Sequence, residues 1–413
     1  MRTNVSLKAN YIYNIFCSLI NAVIQYLLPV ITFKLYSVEM SGNISLAISY
    51  SAMLSSFTTF YTSQYQVTDT KGEFSNFDYL KTRIFTTIIS CIVFVPFILS
   101  KDLTDLQKEI IFIYIGFRIF ENLSSVFYSY SQIIWRLDYE FYSMLLKNII
   151  FLPAYAILLY FTKNMLLSLS ISSISYIIVF FAYDLPYSRK LFSYPYTKGI
   201  GNIFKLIKKV SPLFISSYIY VFVSNQPRLC IASIYGTEQL GYYTSVVTLT
   251  SLFALIISFF INPYLRLFAE IIEKRELKRF LKVVLILLLI IAIFYVGSVL
   301  FCILFGNFFL RTIYNDSLLD YSYLLIPTLT TSMVASLQII VSYILVIYRK
   351  NISIIICSCA SFISSFILVK PLTLKLGLSG ANLTQIVSIL FYVVIGTIIA
   401  ILVSIKNFET YKK

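Results

Sequence analysis

The chain has 413 residues, of which 59% are hydrophobic and 12% are charged, and its formal net charge is +15 at pH 7. Its mean hydropathy of +0.84 excludes a soluble domain of this length. We therefore expect an integral membrane protein without a separate soluble domain.

Histidine is absent, and the six cysteines lie in or beside apolar runs without the spacing of a metal site or a disulfide. The missing histidine excludes Ser–His triads and His-dependent acyl transfer. No glycine-rich loop that would cradle a phosphate is present, so ATP hydrolysis is not expected. The sequence predicts no catalytic residue, no metal and no cofactor.

Apolar runs long enough to cross about 30 Å of hydrocarbon recur along the whole chain. The first run lacks the small-residue cleavage site of a signal peptide, so we expect it to be retained. With ends adjusted to turn signals, the sequence predicts twelve spans, at approximately 10–33, 43–67, 82–99, 109–131, 143–162, 164–183, 210–235, 242–268, 280–304, 321–347, 351–369 and 381–404.

The distribution of the 33 Lys and Arg residues gives the orientation of these spans. Most of them fall on the segments that share a side with both termini, and the positive-inside rule places that side in the cytoplasm. The net charge is then a topology signal and a contact with anionic lipid headgroups. No nucleic-acid partner is expected. Within the spans this count leaves two basic residues, Arg118 and Arg228.

A short pattern, aliphatic-Tyr-x-x-Glu-x-x-Gly, occurs at 35–42 and again at 234–241, each time between two apolar runs. It predicts two capped outer turns, with Gly42 and Gly241 at the chain reversal and Glu39 and Glu238 near the next helix N-terminus. The repeat indicates two six-helix bundles, 1–198 and 199–413, related by a pseudo-two-fold axis along the membrane normal.

The pattern after the first span resembles a turn of the Wzx-type O-antigen and polysaccharide flippases, in the superfamily of the multidrug and toxin exporters (MATE). Three further stretches are similar to that family: 225–229 with the Leu-Gly-Tyr-Tyr turn at 240–243, 262–264, and 376–381. One position departs from the family's pattern, because Arg228 stands where an acidic residue is often found. An acidic coupling role is therefore not carried over to position 228.

The resemblance implies an all-α, MATE-like membrane fold with a V-shaped central cavity. It also implies a flippase that moves undecaprenyl-pyrophosphate-linked oligosaccharide from the cytoplasmic to the outer leaflet of the bacterial inner membrane by alternating access. The substrate would serve O-antigen (lipopolysaccharide) or other surface-polysaccharide biosynthesis. Expected partners are membrane lipids, a proton or sodium as coupling ion, and polysaccharide polymerase and chain-length proteins.

Ionisable residues within spans are costly and mark candidate sites. We expect Arg118 and Arg228 to bind the pyrophosphate, because the guanidinium fork matches phosphate oxygens. Glu121, at i+3 from Arg118, would neutralise it in the empty state and could carry a coupling proton. The alternative is a structural Arg118–Glu121 pair, with Arg228 extending towards the outer surface.

Neutral polar residues within the spans are weaker substrate-binding candidates. They are Asn21 and Gln25 in the first span and Asn225 and Gln226 in the seventh, where Pro227 is expected to disturb the helix. In lipid, such residues also join helices through hydrogen bonds.

Two other functions remain open at this point. A small-molecule exporter of the same fold would use an acidic cavity for cationic drugs. A membrane polymerase or acyltransferase would need a large outer loop or a catalytic histidine, and the sequence has neither.

Overall fold

The computed structural model describes residues 6–69, 72–191, 201–261, 264–274, 276–348 and 350–409. The chain divides into two compact units, Met1–Tyr218 (unit 1) and Ile219–Lys413 (unit 2). The predicted boundary between 198 and 199 and the predicted motif residues Asn262 and Pro263 lie outside the described residues.

Unit 1 is built from α-helices that follow the predicted apolar runs. They are α1 (Leu7–Leu35), α2 (Val38–Thr59), α3 (Thr62–Thr68), α4 (Asn76–Leu99), α5 (Asp105–Ile133), α6 (Leu137–Thr162), α7 (Met165–Val179) and α8 (Leu185–Leu191), with a π-helical turn, Phe180–Asp184, between α7 and α8. The first part of α9 (Gly201–Ile261) also belongs to unit 1, where Leu206 and Val210 pack against Phe74 and Tyr79.

Unit 2 contains the rest of α9 and the C-terminal helices. These are α10 (Tyr264–Glu273), α11 (Leu277–Ile313), α12 (Leu325–Ile347), α13 (Asn351–Leu376) and α14 (Leu378–Glu409), with a 3-10 helix, Asp316–Leu324, before α12. Its apolar core joins residues of α9 to α14, among them Ile257, Phe268, Leu287, Ile344 and Tyr392.

Ten helical segments among the described residues are long and apolar enough to cross a membrane. The sequence predicted twelve spans, two more than these ten segments, and the difference has two reasons. The segment Gly201–Ile257 is interrupted at Gly236, so it holds two of the predicted spans, and α2 corresponds to another although it is not among the ten. Large apolar side chains such as Ile92 and Ile293 are 66% and 71% exposed, as a lipid-facing surface requires. The protein is a multi-pass, all-α membrane protein.

The two repeated turns form, but one residue after each tyrosine and not at the predicted glycines. In the first, Ser37 caps α2 and accepts a hydrogen bond from the Met40 N–H at 3.2 Å. In the second, Gly236 breaks α9 with φ 81° and ψ 176°, a conformation that is essentially restricted to glycine. The prediction that Gly42 and Gly241 make the reversals was wrong, because both are buried inside helices. Glu39 lies in the first turn of α2, as predicted.

The turn predicted at 376–381 is present between α13 and α14. Gly377 has a positive φ of 62°, and the Gly380 N–H donates to the Gly377 carbonyl at 3.0 Å. A Cβ at Gly380 would lie 2.0 Å from the Leu372 carbonyl oxygen. Glycine at 380 therefore allows α14 to pack closely against the end of α13.

Candidate functional site in unit 1

An ion pair on α5 joins two of the predicted site residues. Arg118 and Glu121 lie one helical turn apart on the same face, and the Arg118 Nη1 donates to Glu121 Oε2. Their side chains are 19% and 17% exposed, so the pair lies at the edge of the unit's interior. The Arg118 Nε is buried without a hydrogen-bond partner in the described part of the chain. One donor of this guanidinium is therefore buried and unsatisfied.

A second ion pair, which the sequence did not reveal, is fully buried. Lys147 of α6 and Asp184 of the π turn are 1% and 0% exposed, and Nζ lies 2.7 Å from Oδ2. The ammonium also donates to Ser124 Oγ at 2.8 Å and to Tyr128 Oη at 2.9 Å. The Tyr139 hydroxyl donates to the Asp184 carbonyl at 3.0 Å. Asp184, Ser124 and Tyr128 together accept hydrogen bonds from all three N–H groups of the Lys147 ammonium, as the burial of a charge requires.

The π-helical turn places Asp184 in this network. A single π turn widens the helix locally and changes the direction in which the following side chains point, and such turns are frequent at functional sites. Here the turn ends at Asp184, and regular helix continues as α8. Three aromatic rings lie beside Asp184: Tyr139, whose hydroxyl donates to the Asp184 carbonyl, stacks with Tyr183 and Tyr187 at interplanar angles of 7° to 13°.

The two ion pairs form one charged cluster. Glu121 and Ser124 lie on the same face of α5, and Ser124 Oγ accepts a hydrogen bond from the Lys147 ammonium at 2.8 Å. The cluster of Arg118, Glu121, Lys147 and Asp184 holds two cations and two carboxylates, so it is formally neutral. An anion can bind Arg118 strongly only if Glu121 moves away or takes a proton.

Arg83 of α4 is a further buried cation in unit 1, with 0% exposure. Its guanidinium donates to the Asn122 carbonyl at 2.6 Å, to Thr62 Oγ1 at 2.9 Å, and to the Ser63 and Ser125 hydroxyls at 2.7 and 2.5 Å. Neutral oxygens on α3 and α5 thus hold this charge, and Arg83 joins three helices.

The predicted residues of unit 2 are organised differently. Asn225 and Gln226 are buried, whereas Arg228 is half-buried with Nη1 3.5 Å from Asn225 Oδ1. Gln226 accepts a hydrogen bond from Ser365 of α13. The expected disturbance at Pro227 was wrong, because α9 is helical there and breaks only at Gly236. Asn225, Gln226 and Arg228 thus project from one continuous helix.

The predicted pair on α1 does not join the charged cluster through any contact of the described side chains. Gln25 is exposed, and the side chain of Asn21 lies outside the described part of the structure. Both residues stay candidates from the sequence only.

Sequence reasoning missed Arg83, Lys147 and Asp184 because it assigned them to cytoplasmic segments at the ends of spans. The helices extend further than predicted: α4 begins at Asn76 and α6 at Leu137, and helical structure continues beyond residue 183 to Leu191. A signal was present for Lys147, since the surrounding stretch 144–153 is otherwise almost entirely apolar. A lysine flanked so closely by apolar residues on both sides indicates burial.

Similarity to known proteins indicates the class of protein that carries this site. No protein-family model matches the chain. Over the full length the chain resembles solved transporters: a multidrug resistance MATE family transporter of the MOP superfamily in an inward-facing conformation matches with a TM-score of 0.61 and 14% identity, covering 100% of this chain and 98% of that one. A MATE transporter in a bent conformation matches with a TM-score of 0.60 and 13% identity over 97% and 95% of the two chains. The protein has the MATE transporter fold.

One protein related in sequence takes part in polysaccharide biosynthesis. The capsular polysaccharide biosynthesis protein CapF of Staphylococcus aureus is 25% identical over 393 residues, which cover 92% of this chain and 95% of CapF. The resemblance to polysaccharide-biosynthesis proteins of MATE-like fold is thereby confirmed. Membership in the Wzx-type family itself stays a prediction.

Proposed function

We propose that the protein is a flippase for undecaprenyl-pyrophosphate-linked oligosaccharide, which it moves from the cytoplasmic to the outer leaflet of the bacterial cytoplasmic membrane. The observation that carries this proposal is the full-length similarity to a capsular polysaccharide biosynthesis protein in a chain with a transporter fold. Both termini would be cytoplasmic, as the distribution of Lys and Arg predicts. Surface-polysaccharide assembly, including O-antigen, is the process it would serve.

Arg118 and Arg228 are the proposed phosphate-binding residues of the two units. Arginine remains charged at low dielectric and binds phosphate oxygens with two parallel hydrogen bonds. Arg118 is partly exposed beside Glu121, and Arg228 is half-buried beside Asn225. The neutral amide side chains of Asn225 and Gln226 would form hydrogen bonds with the sugar hydroxyls.

The charged cluster suggests how transport is coupled to a proton gradient. In the empty state, Glu121 neutralises Arg118. A pyrophosphate that binds Arg118 would replace the Glu121 carboxylate as its partner, and the released carboxylate is the proposed carrier of the coupling proton. In this scheme Lys147 and Asp184 hold the cluster in position and do not exchange partners.

The proposal is tested by complementation of a flippase-null strain and by transport of a fluorescent lipid-linked oligosaccharide into proteoliposomes. We expect Arg118→Ala and Arg228→Ala each to lower transport at least about tenfold, the loss of a charge-assisted contact of about 1.4 kcal/mol or more. Full transport by both variants at normal expression would refute the assigned phosphate contacts.

Glu121→Gln tests the coupling step separately. The neutral amide leaves Arg118 available to phosphate, so we expect tighter binding of the substrate and transport that no longer responds to a proton gradient. Glu140→Gln is the matched control, because Glu140 is also buried on the neighbouring helix α6 but is held by Gln132 at 3.1 Å. Gradient-dependent transport by Glu121→Gln would contradict the coupling role.

Small-molecule export is the second candidate, because solved transporters of the same fold include a multidrug resistance protein. The two functions differ in their cargo. Transport of cationic dyes by the wild type, unaffected by Arg118→Ala, would favour export of drugs over the flippase.

A further inference from the structure

Two neighbouring residues between α2 and α3 have left-handed backbone. Phe60 has φ 44° and ψ 35°, and Tyr61 has φ 58° and ψ 8°. Residues with a Cβ seldom adopt this conformation, because the Cβ lies too close to the following carbonyl oxygen. Two such residues in succession persist only where the surrounding structure holds them in place.

The local sequence does not require a break at this point. No glycine or proline occurs between Gly42 and Gly72, and the apolar pattern predicted one uninterrupted span over 43–67. The usual residues that end a helix are therefore missing. Tertiary contacts impose the break, and the same segment has a competing conformation in which α2 runs on through α3 as one helix.

Arg83 holds the α3 side of the break. Its guanidinium is fully buried and donates to Thr62 Oγ1 at 2.9 Å and to Ser63 Oγ at 2.7 Å, on the first two residues of α3. The same guanidinium donates to the Asn122 carbonyl at 2.6 Å and to Ser125 Oγ at 2.5 Å on α5. Hydrogen bonds from a charged group are strong, so Arg83 fixes α3 relative to α5.

The first part of α9, within unit 1, covers the break. The Phe60 ring stacks on the Phe214 ring, with centroids 3.9 Å apart and an interplanar angle of 17°. Beyond α3, the exposed Lys209 ammonium forms an ion pair with Glu73. A helix that continued from α2 through α3 would point in another direction after residue 59 and would carry Phe60 and Glu73 away from these partners.

We infer that residues 60 and 61 form a two-state hinge. In the broken state, Arg83 holds α3 and the first part of α9 is clasped through Phe214 and Lys209. In the straight state, α2 and α3 form one helix and this clasp is released. Backbone strain favours the straight state and the side-chain contacts favour the broken state, and opposed terms of this kind give two discrete arrangements. The hinge goes beyond the proposed function, because it does not depend on the cargo.

A distance measurement on the whole protein in nanodiscs tests the two states. Spin labels are placed at the exposed residues Glu39 of α2 and Val67 of α3, on a ketone-bearing amino acid so that the native cysteines remain. In one continuous helix the two Cα atoms lie about 42 Å apart, and a chain that changes direction at residue 60 spans less. We expect both distances in double electron–electron resonance. A single shorter distance in the wild type and in every variant below would overturn the inference.

Two substitutions of Tyr61 shift the hinge in opposite directions. Tyr61→Gly and Tyr61→Ala remove the same ring, but glycine accepts left-handed backbone without strain and alanine favours helix. We expect the ratio of straight to broken protein to be at least about tenfold higher for Tyr61→Ala than for Tyr61→Gly. Equal ratios would show that the backbone at residue 61 does not change and would overturn the inference.

A second matched pair tests the contact with Arg83. Ser63→Ala and Ser125→Ala each remove one hydroxyl acceptor of the same guanidinium, but only Ser63 lies on α3. We expect Ser63→Ala to raise the straight population at least about fivefold and Ser125→Ala to leave it unchanged. Equal effects of the two substitutions would contradict the assignment of Arg83 as the group that holds the broken state.

A reversible cross-link tests the hinge during transport. Glu73→Cys combined with Lys209→Cys, joined by a short reducible dithiol-specific reagent, locks the clasp. We expect transport to fall at least about tenfold and to recover on reduction, with the wild type under the same treatment as control. Normal transport by the locked protein would overturn the inference. If the wild type moves no lipid-linked oligosaccharide, the proposed function is wrong, and the spin-label distances still decide whether the hinge exists.

Discussion

The two units of this chain stabilise polar groups in their interiors by different means. Unit 1 buries the Lys147–Asp184 ion pair completely and adds the Arg118–Glu121 pair on the neighbouring helix. Unit 2 relies on neutral hydrogen bonds, such as that from the Tyr243 hydroxyl to Asn382 Oδ1 at 2.9 Å. Its ion pairs Arg279–Glu276 and Arg311–Asp316 lie at exposed positions.

This difference matters because ion pairs and neutral hydrogen bonds respond differently to a charged substrate. A buried ion pair changes strongly in energy when a charge or a proton arrives nearby, whereas a neutral amide–hydroxyl contact changes little. The charged cluster of unit 1 therefore responds more strongly to a nearby charge than the neutral contacts of unit 2 do.

Breaking the Lys147–Asp184 pair tests the comparison with the largest expected effect. Lys147→Met leaves the Asp184 carboxylate buried without its cation, which costs about 3–5 kcal/mol of the free energy of unfolding. The double variant with Asp184→Leu removes both charges and should recover most of that loss. The measurement is chemical unfolding of the purified protein in mixed micelles.

The exposed pair of unit 2 supplies the control. Arg279→Met should change the free energy of unfolding by about 0–1 kcal/mol, because solvent screens an exposed ion pair. If Lys147→Met were as mild as Arg279→Met, the claim that unit 1 depends on buried charge would fail.

The sequence predicted the all-α membrane fold and the spacing of Arg118 and Glu121 because both depend on local patterns. Hydrophobic runs determine helices, and an i, i+3 spacing places two side chains on one face. The partnership of Lys147 with Asp184 depends on how α6 and α7 pack and on a π turn that no local pattern announced. The positive-inside count also assigned Arg83 and Lys147, which lie near the cytoplasmic ends of their predicted spans, to cytoplasmic segments, so it concealed their burial.

Two tyrosines, one in each unit, allow a single hydrogen bond to a charged group to be compared with one to a neutral group. The Tyr128 hydroxyl accepts from the Lys147 ammonium at 2.9 Å and lies 2.7 Å from Ser143 Oγ, whereas the Tyr243 hydroxyl donates to the neutral Asn382 amide oxygen at 2.9 Å. We expect Tyr128→Phe to cost about 1.5–3 kcal/mol and Tyr243→Phe about 0.5–1.5 kcal/mol, because hydrogen bonds to charged groups are stronger.

Both tyrosines are nearly fully buried, at 4% and 2% exposure, so the loss of the hydroxyl group is the main difference between the variants. Unfolding free energies measured under one condition provide the test. Equal costs for the two substitutions would show that the charge of Lys147 adds nothing to the bond.

The repeated turns allow the smallest comparison, since Ser37 in unit 1 and Gly236 in unit 2 occupy equivalent positions one residue after a tyrosine. Ser37 has extended backbone and caps α2, and Gly236 has a φ of 81°. Gly236→Ser should therefore cost on the order of 1–3 kcal/mol, because the serine must adopt a strained conformation. Ser37→Gly should cost only a few tenths of a kcal/mol, because glycine is itself a tolerated N-cap. If the two exchanges cost the same, the two turns would share one backbone geometry in solution, and the units would differ less at this repeat than their backbone angles indicate.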